Sequence, residues 1–131
     1  MEKKKILVIR LSSLGDVAMS VPIIASVATL NKVQITVLTK KTFEPLFADI
    51  ENVSVFPIDL KERHKGLKGI LQLFLDLKKT KKWDFIIDLH DVIRTKILRF
   101  LFRTTNTSVF YIHKDRKGRR KIIAKKKKNL Q

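Results

Sequence analysis

The chain has 131 residues, no cysteine and 44% hydrophobic content, enough to bury one core but not two, so a single compact domain is expected. The lack of thiols excludes disulfides, thiolate zinc sites and cysteine nucleophiles, and fits a reducing compartment. With 29 Lys and Arg against 12 Asp and Glu, the net charge is +17. A field of that sign attracts polyanions, whether nucleic acid, anionic lipid headgroups or phosphorylated glycolipid.

The charge is uneven. Residues 113–131 hold ten basic side chains and one acid, Asp115, and a second cluster surrounds residues 61–82. The start, MEKKK, is basic like a signal peptide, but Arg10 interrupts the apolar run behind it and no small-residue cleavage site follows, so the chain reads as unexported. The longest mostly apolar stretch beyond that point, 21–30, falls short of the ~20 residues that cross a bilayer. A soluble or peripheral protein is expected.

In chain order, residues 5–10 form an apolar run of strand length, suited to burial on both faces. Residues 16–30 read as a helix that Pro22 either kinks or restarts, with Ser20 as the new N-cap. A second strand alternates over 33–39. A short helix is expected at 42–49, capped by Thr42 with Pro45 in its first turn. A third strand covers 53–56. Residues 66–80 place Leu67, Ile70, Leu71, Phe74, Leu75 and Leu77 at helical spacing, with lysines toward the C-terminal end, where they favour the helix dipole. A fourth strand at 83–89, a helix at 92–102 and a fifth strand at 108–112 complete the series.

Strands that alternate with helices predict an α/β fold, a Rossmann-like parallel sheet with right-handed crossovers and helices on both faces. Ligands of such sheets sit beyond the carboxyl ends of the strands. Residues 12–16, 61–64 and 90–94 are therefore expected to meet on one rim. The loop after the first strand reads Ser-Ser-Leu-Gly-Asp and carries one glycine, Gly15. That is too few for the close backbone approach of a classical dinucleotide fingerprint. It offers instead two hydroxyls, Ser12 and Ser13, beside Asp16. These residues suit helix capping, and they equally suit a carboxylate placed to do chemistry.

The stretch KILVIRLSSLGDVAMSVPII resembles the N-terminal signature of the heptosyltransferase family, glycosyltransferase family nine. WDFIIDLHDVIRTKIL, residues 83–98, and YIHKDRKGRRKI, residues 111–122, are similar to later segments of the same family. The resemblance covers nearly the whole chain. It implies the N-terminal, acceptor-side half of a GT-B glycosyltransferase, inverting and metal-independent, that transfers heptose or a related sugar from a nucleotide-sugar such as ADP-heptose to a phosphorylated glycolipid acceptor of the lipopolysaccharide core. Asp16 matches the family's general base, and Ser13 and Gly15, with Ser12 beside them, match loop positions near the transferred sugar and its phosphates. Lys61, Arg63 and Arg94 fall where basic residues face an anionic acceptor, chemistry that suits Arg as a donor fork and Lys as a point charge.

The resemblance divides the chain into an acceptor-side domain, 1–112, and a basic tail, 113–131, read as a cut-short and disordered interdomain segment. The C-terminal donor-binding domain is absent from this sequence, so the chain is expected to be inactive alone and to need that domain in cis or in trans. A cytoplasmic site is implied, peripheral at the inner membrane, with the tail facing an anionic membrane surface. No metal site and no cofactor beyond the sugar donor are expected, because His64, His90 and His113 lack the short spacing of ligand pairs. Asp84 and Asp88 read as hydrogen-bonding groups near a strand. The alternative is a non-enzymatic basic α/β module that binds nucleic acid or another polyanion. The tail beyond Tyr111 has no aromatic side chain, which disfavours base stacking and hence nucleic acid.

Overall fold

A computed structural model describes residues 3–114 and 120–125. Six strands form one sheet in the order β3-β2-β1-β4-β5-β6. The strands are β1 (Lys5–Ile9), β2 (Gln34–Lys40), β3 (Val53–Ile58), β4 (Phe85–Asp88), β5 (Ser108–Lys114) and β6 (Arg120–Lys125), and the α-helices are α1 (Leu14–Asn31), α2 (Gly66–Thr80) and α3 (Ile93–Arg103). Strands β1 to β5 pair in parallel, as the alternating pattern predicts, and β6 returns antiparallel along β5.

Strand β1 lies at the centre, pairing with β2 on one side and β4 on the other. Its successive side chains therefore enter two cores. Leu7 and Ile9 pack with α2 and α3 through Leu73, Phe74, Leu77, Leu98 and Phe102. Ile6 and Val8 pack with α1 and the β2–β3 connection through Val17, Ile24, Ala28 and Phe47. A continuous apolar run suits a strand covered on both faces. The opposed rings of Phe74 and Phe102, 4.8 Å apart and edge to face, join α2 to α3.

Several boundaries depart from expectation for local reasons. Helix α1 neither breaks nor restarts at Pro22. It runs unbroken for 18 residues, held on the sheet by Val17, Ile24 and Ala28, while Pro22 lies on the exposed side. Ser20 is no N-cap; its hydroxyl donates to the Val17 carbonyl at 2.6 Å. The connection after β2 is a 3-10 helix, Lys41–Phe47, with Lys40 rather than Thr42 at its N-cap. Strand β3 runs on through Pro57, which an edge strand tolerates.

Two further expectations change. The apolar stretch judged too short to span a bilayer belongs to an 18-residue helix that is long and apolar enough to do so by length and composition. Here it connects two strands of the sheet. The basic segment 113–131, expected to be disordered, contributes a sixth strand: Val109–Lys114 pairs with Arg120–Lys125 across the β5–β6 ladder. The reason is that β5 would otherwise present an unpaired edge of N–H and C=O groups, and the returning chain covers it. The remaining residues of that segment lie outside the described ones.

Gly69 shows how closely α2 packs. A β-carbon there would fall 2.0 Å from the His64 carbonyl carbon, so Gly69→Ala is expected to displace the loop before α2 and lower stability. Phe102→Ala, which removes a fully buried ring, is expected to cost ~3–5 kcal/mol in urea unfolding. Phe100→Ala, on the exposed side of the same helix, is expected to change it by less than ~0.5 kcal/mol.

Candidate active site

The carboxyl end of β1 carries a polar cluster. The chain leaves the sheet at Arg10, whose side chain turns back between two loops. Its Nη1 donates to the Leu89 carbonyl at 2.7 Å, and its Nη2 to Asp16 Oδ2 at 2.5 Å. The first bond ties the end of β1 to the end of β4. The second holds the Asp16 carboxylate at the start of α1. Ser13 occupies the N-cap position, yet its side chain makes no bond to the helix amides. Its hydroxyl donates to Asp16 Oδ2 at 3.1 Å instead. Asp16 is 43% exposed at its side chain while Arg10 is 11% exposed, so a nearly buried cation presents a solvent-facing carboxylate. Charge-assisted bonds of this kind are the stronger ones and fix orientation.

The β4 loop supplies the other wall. Asp88 is fully buried, and its Oδ1 accepts the amides of His90 and Asp91 at 2.9 and 3.0 Å. Arg99 on α3 compensates that charge. Its Nη1 lies 3.5 Å from Asp88 Oδ2 and 3.2 Å from Asp91 Oδ1, and its guanidinium lies 3.7 Å from the centre of the Tyr111 ring. Asp91 adopts a left-handed conformation, φ 51°, which Asp tolerates better than most residues. The folded-back loop brings His90 Nδ1 to the Leu11 amide, which donates to it at 3.0 Å. An accepting Nδ1 carries no proton, so the neutral ring is protonated at Nε2. Burial first, and the Arg10 charge second, hold His90 below its ordinary pKa, which favours that neutral form.

The cleft beside this cluster measures about 390 Å³ and is lined by Arg10, Asp16, Met19, Ser20, Ile23 and Leu89 among others. Of the residues expected to form the site, it holds Asp16, with Ser13 bonded to it. Ser12 and Gly15 complete the same loop, and a β-carbon at Gly15 would meet nothing within 4 Å.

The basic residues lie elsewhere. Arg94 borders a separate depression of about 670 Å³ between the starts of α2 and α3. Lys61 lines another, of about 330 Å³, with Lys40, Lys41 and Asp59. Arg63 donates from Nε and Nη2 to Asp76 at 2.8 Å each, and Asp76 also bonds His64 Nε2 at 2.8 Å. Arg63 is thus engaged in fastening its own loop to α2. Of the three loops expected on one rim, those after β1 and β4 meet through the Leu11–His90 and Arg10–Leu89 bonds, while 61–64 follows β3, and β2 stands between β3 and β1, a distance of two strand spacings, ~10 Å. Arg94 leaves the sheet on the α2–α3 side, while Asp16 leaves it on the α1 side.

Two contributors escaped the sequence reading. Arg10 was visible only as an interruption in an apolar strand, and that interruption was the available signal. His90 was noted as a strand-end residue, but its bond to Leu11 spans 79 positions, which no local pattern shows. Asp84 and Asp88 do serve as hydrogen-bond acceptors beside β4, Asp84 for the Lys5 amide at 2.8 Å. Among the described residues no three His, Asp or Glu side chains gather where they could hold a metal ion.

The parallel sheet with helices on both faces and a carboxylate-bearing loop after its central strand defines a Rossmann-like α/β domain. No family model matches the chain. It is 29% identical over 96 residues to the lipopolysaccharide core heptosyltransferase OpsX of Haemophilus influenzae, a match that covers 72% of this chain and 26% of that protein. The solved glycosyl transferase family 9 protein of Veillonella parvula superposes with a TM-score of 0.69 at 26% identity, over 91% of this chain and 39% of that one. The chain is thus similar, in sequence and in fold, to proteins of glycosyltransferase family 9, a lipopolysaccharide core heptosyltransferase among them. It spans about a quarter of the length of OpsX and two fifths of that of the Veillonella protein.

The cluster makes two pH-dependent predictions. His90 has a depressed pKa in the fold, so its contribution to stability is present above its unfolded value of ~6.5 and is lost as pH falls toward the folded pKa. His90→Gln is expected to flatten the stability profile below that pH, and nitrogen-15 shifts are expected to show the Nε2-protonated ring at pH 7. Asp76 is held well below the usual carboxylate range, first by its bonds from Arg63. Its contribution is present above the unfolded pKa of ~3.9 and is lost below it as pH falls toward the folded value. Asp76→Asn is expected to lower stability at neutral pH and to remove part of the acid-induced loss, read by unfolding at a series of pH values.

Proposed function

We propose that the chain is the acceptor-binding part of an inverting glycosyltransferase that moves heptose or a related sugar from a nucleotide-sugar to a phosphorylated acceptor of the lipopolysaccharide-core type. The observation that carries this reading is the Asp16 carboxylate, held by Arg10 and Ser13 at the mouth of the cleft beyond the central strand. The likeness to the heptosyltransferase OpsX and to the Veillonella glycosyl transferase family 9 protein supports the sugar and acceptor classes. The nucleotide-sugar would be ADP-heptose or a close relative, and the resemblance carries the metal-independent course.

In this reading Asp16 accepts the proton of the acceptor hydroxyl as that oxygen forms its bond to the anomeric carbon. The bond from that carbon to the diphosphate breaks on the opposite side, and the diphosphate leaves with its electron pair. The anomeric centre inverts. A carboxylate is a weak base for a hydroxyl, so its value lies in placement: the proton becomes acidic late, as the carbon–oxygen bond forms. Arg10 fixes the carboxylate, and the β4 loop fixes Arg10 through Leu89. Ser12, Ser13 and Gly15 shape the loop toward the sugar. Arg94 and Lys61 serve phosphates farther along an extended acceptor, since they lie in separate depressions.

The relatives extend well beyond the matched region; in this reading a donor-binding half is supplied in cis or in trans. Transfer by these residues alone is not expected. The reading puts the protein in the cytoplasm, peripheral at the inner membrane, where such an acceptor is built.

The test is sugar transfer to a heptose-deficient core acceptor, with the donor-binding half supplied. Asp16→Asn is expected to lower kcat by ~10²–10⁴, the usual worth of a positioned general base, with a smaller change in KM for the acceptor. Transfer that persists near the original rate would overturn the assignment.

A further inference from the structure

The Asp16 cleft and the Arg94 depression open on different sides of the sheet, and one residue stands between them. Leu89 lines the first and Asp91 the second, and His90 joins the two in the chain. Its ring also crosses from the end of β4 to the end of β1, where Nδ1 accepts the Leu11 amide at 3.0 Å. The charges of Arg10, Asp16, Asp88 and Arg94 all act on it, so the ring lies within reach of both depressions. An acceptor that holds a hydroxyl at Asp16 and a phosphate at Arg94 has to pass His90.

The bond to Leu11 decides what His90 can offer there. An amide N–H only donates, so Nδ1 is the unprotonated nitrogen and Nε2 carries the proton of the neutral ring. The neighbouring polar groups are already engaged. Arg10 is bonded to Leu89 and Asp16, and Asp88 to the amides of His90 and Asp91. Among the described residues nothing accepts the Nε2–H, and the side chain is only part-buried. A ring fixed on one nitrogen presents the other as a donor in a set orientation, which loses little freedom when a ligand binds.

We propose that His90 is an acceptor-binding residue, whose Nε2–H donates to a sugar oxygen of the acceptor between the attacking hydroxyl at Asp16 and the phosphate at Arg94. This rests on the transferase reading and deepens it, adding a neutral donor where the sequence pointed only to cations. A neutral N–H suits a sugar oxygen, while Arg and Lys suit phosphate.

Asparagine and glutamine separate the two nitrogens. Asn can place Oδ1 where Nδ1 lies and keep the Leu11 bond, with nothing at the Nε2 position. Gln reaches the Nε2 position with an amide N–H and gives up Nδ1. With the donor-binding half supplied, His90→Asn is expected to raise the KM for a heptose-deficient core acceptor about tenfold, as for one lost hydrogen bond, with kcat changed less than about threefold. Hydrogen exchange of the Leu11 amide is expected to stay slow in that variant. His90→Gln is expected to lose the Leu11 protection and to keep more of the acceptor binding. An unchanged KM in His90→Asn with Leu11 still protected would overturn the proposal. So would a KM that rises in His90→Gln alone, which would leave His90 a structural group. If neither variant folds, nitrogen-15 spectra of the unaltered chain decide: the His90 Nε2 resonance is expected to shift on saturation with the same acceptor, and an unmoved resonance would overturn the proposal. Asp16→Asn in the same assay keeps the two claims apart. If it lowers kcat while His90→Asn leaves KM unchanged, only the role of His90 falls; if it leaves transfer unchanged, the transferase reading falls and the role of His90 with it.

Discussion

The site rests on one residue at the end of the central strand. Strand β1 is buried on both faces between β2 and β4, and a charge at its end must find partners or remain in water. Arg10 finds two, the Leu89 carbonyl and the Asp16 carboxylate, so one guanidinium joins the end of β4 to the start of α1. The loop that carries Ser12, Ser13 and Gly15 is fixed at both ends by that pair of bonds and by the bond from the Leu11 amide to His90. Arg10 is nearly buried while Asp16 faces solvent, so loss of the carboxylate would leave the guanidinium with little access to water, whereas loss of Arg10 would leave Asp16 hydrated but without its main anchor.

A second network repeats the logic one layer back. Asp88 organises the β4 loop through two amides, and Arg99 balances its charge while lying against Tyr111. The buried carboxylate therefore acts on the site through geometry: it folds the loop so that His90 reaches Leu11. Near the β3 edge, Asp76 gathers Arg63, His64 and Gln72 and ties the 59–64 loop to α2. The loops after β1, β3 and β4 are thus each held by a carboxylate that accepts several donors, which orders irregular backbone in a chain so rich in cations.

Much of the fold was legible because its signals are local and repeated. Apolar runs such as ILVI and FIID read as strands, and of the helical spacing read over 66–80, Ile70, Phe74 and Leu77 form the buried stripe while Leu67, Leu71 and Leu75 are exposed. Asp16 was legible through its loop context and its likeness to a family signature. Pro22 left a restart of the helix open, but α1 runs through it, because its anchorage on the sheet overrides a local rule about helix interiors. The basic tail misled for a similar reason. Its composition suggests disorder, yet part of it gains a strand's hydrogen bonds against β5.

By itself the sequence determined the α/β class, the order of elements, the two-faced burial of β1 and the identity of the carboxylate at the β1–α1 loop, since each depends on residues close together in the chain. The tertiary structure alone decided which side chains meet. Strand order puts β2 between the Lys61 loop and Asp16, and puts β4 beside β1, so that Arg10 reaches Leu89 and His90 reaches Leu11 across 79 positions. It also decided that Arg63 serves its own loop. These outcomes follow from strand pairing between distant segments, and nothing in a residue's immediate neighbours encodes which strand will lie beside it.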